Sequence, residues 1–269
     1  MTPHAKSRDV YLVRHAESRY NQAVKRRNLS SMIRETDHGL SENGLAQCRA
    51  LQGRIRRSDC ADARALKASR RTTLSSPLCR AILTAHLALP PTTGGIVALP
   101  SCREHCMMPL FSRDSEGTVA SELHAHVAAE LDALVAGAGG GADEFESPEP
   151  PVIIGSRMPT GKWWTVAEAS RNVGARLGVA LREVADAADA VCDGSATVLV
   201  GHSFAMLRMF RQYSSATFAA TSLGRRLHHE RVDNCAILRV RLEDQEGAAD
   251  APPRIAGAVL LFDSKFRGE

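Results

Sequence analysis

Two short apolar runs, each stopping at a histidine, constrain the fold more than any other feature of this chain. Val10-Tyr11-Leu12-Val13 leads straight into Arg14-His15, and Ala196-Thr197-Val198-Leu199-Val200-Gly201 leads into His202. Short continuous runs rich in branched residues read as strands buried on both faces. Such strands need helices on both sides of the sheet, and the segments between them carry helical patterns. The predicted fold class is α/β, a three-layer α/β/α arrangement with a mostly parallel central sheet. Open sheets of this kind present their active-site groups at the C-terminal ends of the strands.

The remaining segments fill in that plan. Arg19 to Arg34 reads as a helix and then a loop. Ser41 can cap a helix running to about Arg57, with Ala46, Leu51 and Ile55 on its apolar face. Thr72 to Ser76 reads as a strand, with Pro77 in the first turn of a helix that carries Arg80, Thr84 and His86. Gly95 to Leu99 reads as another strand, closed by Pro100. From about 103 to 165 the composition changes. A helix-like stretch (119–136), a Gly/Ala-rich run (136–142) and an acidic Pro-rich run (145–151) predict a helical and loop insertion over the active site. An alanine-rich helix (166–191), a helix from Phe204 to Tyr213 and two late strands (236–240 and 256–262) complete a single domain over 1–269.

Composition narrows the partners. With 44% hydrophobic and 24% charged residues, the 269-residue chain can bury a sizeable core. Its 34 Lys+Arg against 30 Asp+Glu leave a net charge of +4, spread along the sequence. The basic groups predict a solvated surface and no nucleic-acid partner, and their mild field suits a small phosphorylated substrate. No apolar segment is long enough to span a bilayer and no secretion signal leads the chain, so no membrane partner and a cytoplasmic location are expected. Seven irregularly spaced cysteines fit a reducing compartment.

Four segments place charged or imidazole groups just after a strand or at a helix start: Arg14-His15, Ser75-Ser76-Pro77-Leu78-Cys79-Arg80, Cys102-Arg103-Glu104-His105 and Gly201-His202-Ser203. The run from Arg14 to Asn21, R-H-A-E-S-x-x-N, together with these segments in this order, resembles the histidine phosphatase (phosphoglycerate mutase-like) superfamily. The resemblance implies that His15 accepts the phosphoryl group, that Arg80 binds it, that Glu104 is the proton donor and that His202 is the second histidine. Arg14 and Arg80 suit the oxygens of a phosphomonoester, because guanidinium offers bidentate donors. His202 would add a third contact and Asn21 a neutral donor, with Ser203 beside the substrate. Two departures stand out: Ala16 and Ser203 occupy positions where the family usually has glycine. Asp114 and Glu116 are alternatives to Glu104, which is preferred because it follows a strand and Pro100.

The expected reaction is metal-independent hydrolysis of a phosphomonoester through phosphohistidine, with no cofactor. Crowded cations keep His15 neutral for attack, and Glu104 protonates the leaving alkoxide and then activates water. A phosphoglycerate mutase-type phosphotransferase uses the same centre. The mutase stretch L-N-E-R-H-Y-G is replaced here by Ser101-Cys102-Arg103-Glu104-His105-Cys106-Met107, which favours hydrolysis. A non-catalytic phospho-ligand binding module would need the cations but neither His15 nor Glu104. Cys48 to Arg54 and Cys235 to Arg241 match the C-x5-R spacing of tyrosine phosphatases without its glycine-rich loop. Cys102, His105, Cys106, His124 and His126 fit no standard zinc spacing, and Gly155 to Lys162 is not a phosphate loop. Trp163-Trp164 reads as a hydrophobic anchor for the long helix, with a pocket-rim role as the alternative.

Overall fold

The computed structural model describes residues 6–105, 113, 115–137, 149–164, 168, 170–191, 195–248 and 251–269, without the side chains of Ser170 and Arg171. Seven strands form one sheet: β1 (Ser7–Arg14), β2 (Thr72–Ser75), β3 (Ile96–Ala98), β4 (Ile153–Ile154), β5 (Thr197–Gly201), β6 (Ile237–Glu243) and β7 (Arg254–Leu261). Their order is β4-β3-β2-β5-β1-β6-β7. The pairings from β4 to β1 are parallel, and β6 and β7 add an antiparallel edge. The helices are α1 (Arg19–Lys25), α2 (Leu29–Arg34), α3 (Glu42–Arg57), α4 (Ala61–Lys67), α5 (Cys79–Ala88), α6 (Ala120–Gly137), α7 (Ser170–Asp189), α8 (Ser203–Tyr213), α9 (Ala216–Ala219) and α10 (Ser222–His229).

The strand period of two sorts β1 between two cores. Tyr11 and Val13 pack with Leu45, Leu51 and Ile55 of α3, Ile82 of α5 and Val127 of α6. Val10 and Leu12 pack on the other face with Leu177 and Leu181 of α7, Met206 and Phe210 of α8 and Leu227 of α10. The sheet is therefore covered on both sides, the three-layer arrangement expected. Among the described residues no helix is long and apolar enough to cross a membrane.

Several local expectations change. The helix starting at Arg19 breaks at Arg27, whose φ is 55°, and resumes as α2. Pro77 lies outside α5, because the N-cap of that helix is Leu78. The 103–165 segment is more than a roof. Ile153 and Ile154 extend the sheet beside β3. Leu123, Val127, Leu131 and Leu134 form a helical stripe that buries α6 in the first core. Much of the Gly/Ala-rich and acidic runs, and the expected helix start at Val166, lie outside the described residues. Helices α9 and α10 follow α8 and carry their own Ser215 and Thr221 caps.

Candidate active site

Strand adjacency builds the centre. Arg14 faces Gly201 across the β1–β5 pair, and Ser75 faces Val200 across β2–β5, so all three strands end at one edge. The His15 amide donates to the Gly201 carbonyl at 2.9 Å. The residue after β1 and the residue after β5 are histidines, and the His15 and His202 rings stand 5.0 Å apart between centroids. Close approach of α3 supports the turn below them. A Cβ on Gly44 would lie 2.1 Å from the Glu17 carbonyl oxygen, so glycine is required there.

His15 is held by its neighbours through the chain. Its Nδ1 donates to the Ala16 carbonyl at 2.6 Å, which leaves Nε2 with the lone pair. The Ala16 amide donates to Thr84 Oγ1 at 2.9 Å, and the Thr84 hydroxyl donates to the Arg80 carbonyl at 2.7 Å. Asn234 Nδ2 donates to the His15 carbonyl at 2.8 Å. Thus α5 and the turn before β6 fix the residue from two sides.

Burial sets the electrostatics. Burial first, then Arg80 and Arg14, hold the His15 imidazole well below its ordinary range, against a smaller opposing effect of the Ala16 carbonyl. His202 is displaced the same way by burial, Arg80, His15 and Arg14. Arg14 is lowered to about 10, chiefly by burial and then by Arg267. Its Nη1 donates to the Val232 carbonyl at 2.7 Å. Within the described residues, Arg14 Nε and both His202 ring nitrogens are buried without a hydrogen-bond partner. Native interiors satisfy such groups, so their convergence beside His15 marks a place for a ligand with acceptor oxygens.

Glu104 reaches the same centre from just after the 3-10 turn at Pro100–Cys102. Its carboxylate accepts the amides of His105 (2.9 Å) and Ala205 (3.1 Å), with Phe204 N at 3.4 Å. It therefore sits on the positive end of α8, whose N-cap is His202. Arg80 is almost fully buried on α5, and Ser203 is buried as the first residue of α8.

Asn21 is the predicted residue least engaged with the centre. Its described hydrogen bonds both go to Ser18, closing a capping box at the start of α1. Asp114, an alternative acid, lies outside the described residues, and Glu116 is paired with Arg113 on the surface. Among the described residues no group of three His, Cys, Asp or Glu could hold a metal ion, and Cys106 of the conceivable zinc set lies outside them.

The tyrosine phosphatase spacings end on buried thiols. Cys48 is raised far above the ordinary thiol range by burial and by the neighbouring Cys235. Trp163 is an anchor, although not of the long helix: its Nε1 donates to the Thr118 carbonyl at 2.7 Å and its ring covers Gly117.

The sequence profile described as histidine phosphatase superfamily (branch 1) matches residues 10–149, more than half of the chain. The chain belongs to this superfamily. No curated protein sequence matches it. Solved structures similar to it include a mycobacterial glucosyl-3-phosphoglycerate phosphatase, at 17% identity over 95% of this chain and 97% of that one, with a TM-score of 0.47. A phosphoglycerate mutase from Bacillus anthracis is 16% identical over 94% of this chain and 93% of its own, with a TM-score of 0.48. A phosphoserine phosphatase from Entamoeba histolytica is 16% identical over 93% and 95% of the two chains, with a TM-score of 0.45.

Asn234, Thr84 and Asp37 are site-supporting residues that the sequence reading assigned no role. Asn234 lies 219 positions from His15, and nothing local marks it. Thr84 had a signal, a hydroxyl one helical turn after Arg80. Asp37 opens a turn pattern but bonds across the fold.

Proposed function

We propose that this superfamily member hydrolyses phosphomonoesters through a phosphohistidine on His15. The observation that carries the reading is the Nδ1 bond to Ala16, which presents Nε2 as a free lone pair among unpartnered cationic and imidazole donors. The phosphoryl oxygens are bound by Arg14, Arg80 and His202, and charge developing on them is stabilised by preorganised donors. His15 Nε2 forms the bond to phosphorus while the ester P–O bond breaks, and the electron pair leaves with the alkoxide. Glu104, which takes up a proton as the phosphoryl anion arrives beside it, delivers that proton to the alkoxide. It then takes a proton from water, whose oxygen attacks phosphorus, and the N–P bond breaks to release phosphate and neutral His15.

Asn21 is proposed as a neutral donor to the same oxygens through its amide nitrogen, and Ser203 as a lining residue. The two arginines provide the charge stabilisation that a divalent ion supplies elsewhere, so turnover is expected to be independent of added metal. The expected substrate is a small phosphorylated molecule.

The test is hydrolysis of an aryl phosphate in excess chelator by the wild type and by His15→Ala. Activity that survives chelator and disappears in the variant supports the reading, and a labelled phosphoprotein trapped by an alkaline denaturing quench, stable to base and lost in acid, identifies the intermediate as phosphohistidine. Equal activity in the variant overturns it. Transfer to an acceptor sugar or glycerate in place of water would reassign the centre to a phosphotransferase.

A further inference from the structure

Two arginines next to this centre have no part in holding the fold's charges together. Arg231 precedes Val232, whose carbonyl holds Arg14, and its guanidinium carbon lies 4.5 Å from the centroid of Phe204, two residues after His202. Arg267 is exposed on the adjoining chain segment, and its amide donates to the Arg231 carbonyl at 2.8 Å. Val232 and Phe266 form an antiparallel bridge between the two segments. Together these contacts put both residues at the rim of the edge where β1 and β5 end.

Other arginines near this edge or on the same chain segments are neutralised: Arg103 and Arg176 share Glu168, and Arg226 holds Glu230 and Glu269. Among the described residues Arg231 and Arg267 make no ion pair. They instead repel each other and Arg14, with Glu104 acting on Arg231 as a counter-charge. Like charges gathered without partners destabilise a fold, and proteins keep such arrangements where a ligand completes them. Guanidinium groups are the usual recognisers of carboxylate and phosphate.

We propose that Arg231 and Arg267 form a second anion site at the rim of the phosphoryl cradle, selecting phosphomonoesters that carry another negative group close to the ester. The inference rests on the phosphomonoester reading of the adjacent centre. The second group is a carboxylate or another phosphate, which share the planar or tetrahedral oxygens that a guanidinium fork binds.

Binding of three non-hydrolysable probes by calorimetry tests it: methylphosphonate, phosphonoacetate and methylenediphosphonate. The wild type is expected to bind the two doubly charged probes about tenfold more tightly than methylphosphonate, as one added charge-assisted contact implies. The Arg231→Met/Arg267→Met variant should bring the ratios to within about twofold. Exposed Arg267 also allows Arg267→Glu alone, which should lower both ratios without a threat to folding. The stronger of the two doubly charged probes identifies a carboxylate or a phosphate as the second group. Equal affinities in the wild type, ratios unchanged in the variants, or no binding of any probe would each overturn the site. The readout needs no turnover, so a protein that binds in this pattern yet hydrolyses nothing refutes the hydrolase reading and leaves the second site standing.

Discussion

Asp37 Oδ1 accepts the Cys79 amide at 2.8 Å, so the helix that carries Arg80 is capped by a carboxylate 42 residues away. Leu78, the N-cap by position, has no side chain able to do this. The other oxygen of Asp37 accepts the Thr118 amide at 3.1 Å and its hydroxyl at 2.7 Å. One buried side chain thus ties the insertion to the helix that carries Arg80.

Asp37→Ala leaves the Cys79 and Thr118 amides without acceptors, and buried unsatisfied donors cost about 1–3 kcal/mol each. The variant should lose about 3 kcal/mol in urea unfolding. It should also lower kcat/KM for an aryl phosphate, because α5 is free to shift. Unchanged stability would show that the cap is replaced by water.

Thr84→Val keeps the shape of the side chain and removes the acceptor of the Ala16 amide. The lost bond should cost about 1–2 kcal/mol in unfolding. The turn that aims His15 is loosened, so kcat should fall while phosphate binding through the arginines is retained. Steady-state kinetics beside phosphate titration separates the two. A parallel loss of binding would move Thr84 from aiming His15 to shaping the cradle.

The candidate centre was legible in the sequence because its parts follow strand ends or open a helix. Runs such as Val10–Val13 and Val198–Val200 are buried on both faces, and the residues that follow them must emerge at the sheet edge. His15, His202, Arg14 and Arg80 were placed by that logic together with family order. What escaped is held by contacts that leave no local trace: Asn234 on the His15 carbonyl, Asp37 on α5, and Arg231 with Arg267 at the rim. The 103–165 segment was legible in part, its helix at 119–136 appearing as α6. Its change of composition pointed to an insertion, and the apolar period of α6 and the two isoleucines of β4 also fix that insertion to the core and the sheet.

Thiol reactivity should separate exposed from buried cysteines at the described positions. Cys60 is exposed, and its thiol is held below the ordinary range by the Ser58 hydroxyl and the Ala63 amide. Cys48, Cys79 and Cys102 are buried, and burial pushes each of their thiols up. The thiolate is the reactive form, so brief iodoacetamide treatment followed by peptide mapping should find Cys60 labelled before those three. Equal labelling would mean that the native core opens on the timescale of the reaction.

Both imidazoles at the centre should be neutral throughout the ordinary assay range. Burial and the arginines lower His15 and His202 well below 6.5, so their NMR resonances in the free protein should not titrate near that value. The stability consequence has a definite sign. A histidine whose folded-state value is depressed takes up a proton more readily in the unfolded chain, so stability is lost as pH falls below 6.5. Each such group steepens the fall by up to about 1.4 kcal/mol per pH unit. Urea unfolding between pH 7.5 and 5.5 should therefore show a shallower acid loss for His15→Asn/His202→Asn than for the wild type. Saturating phosphate should oppose the loss in the wild type, because a bound anion favours the protonated imidazoles that the arginines alone disfavour. Parallel slopes for the two proteins, with or without phosphate, would show that the histidines titrate normally and that the cations lie too far from them to keep His15 a nucleophile.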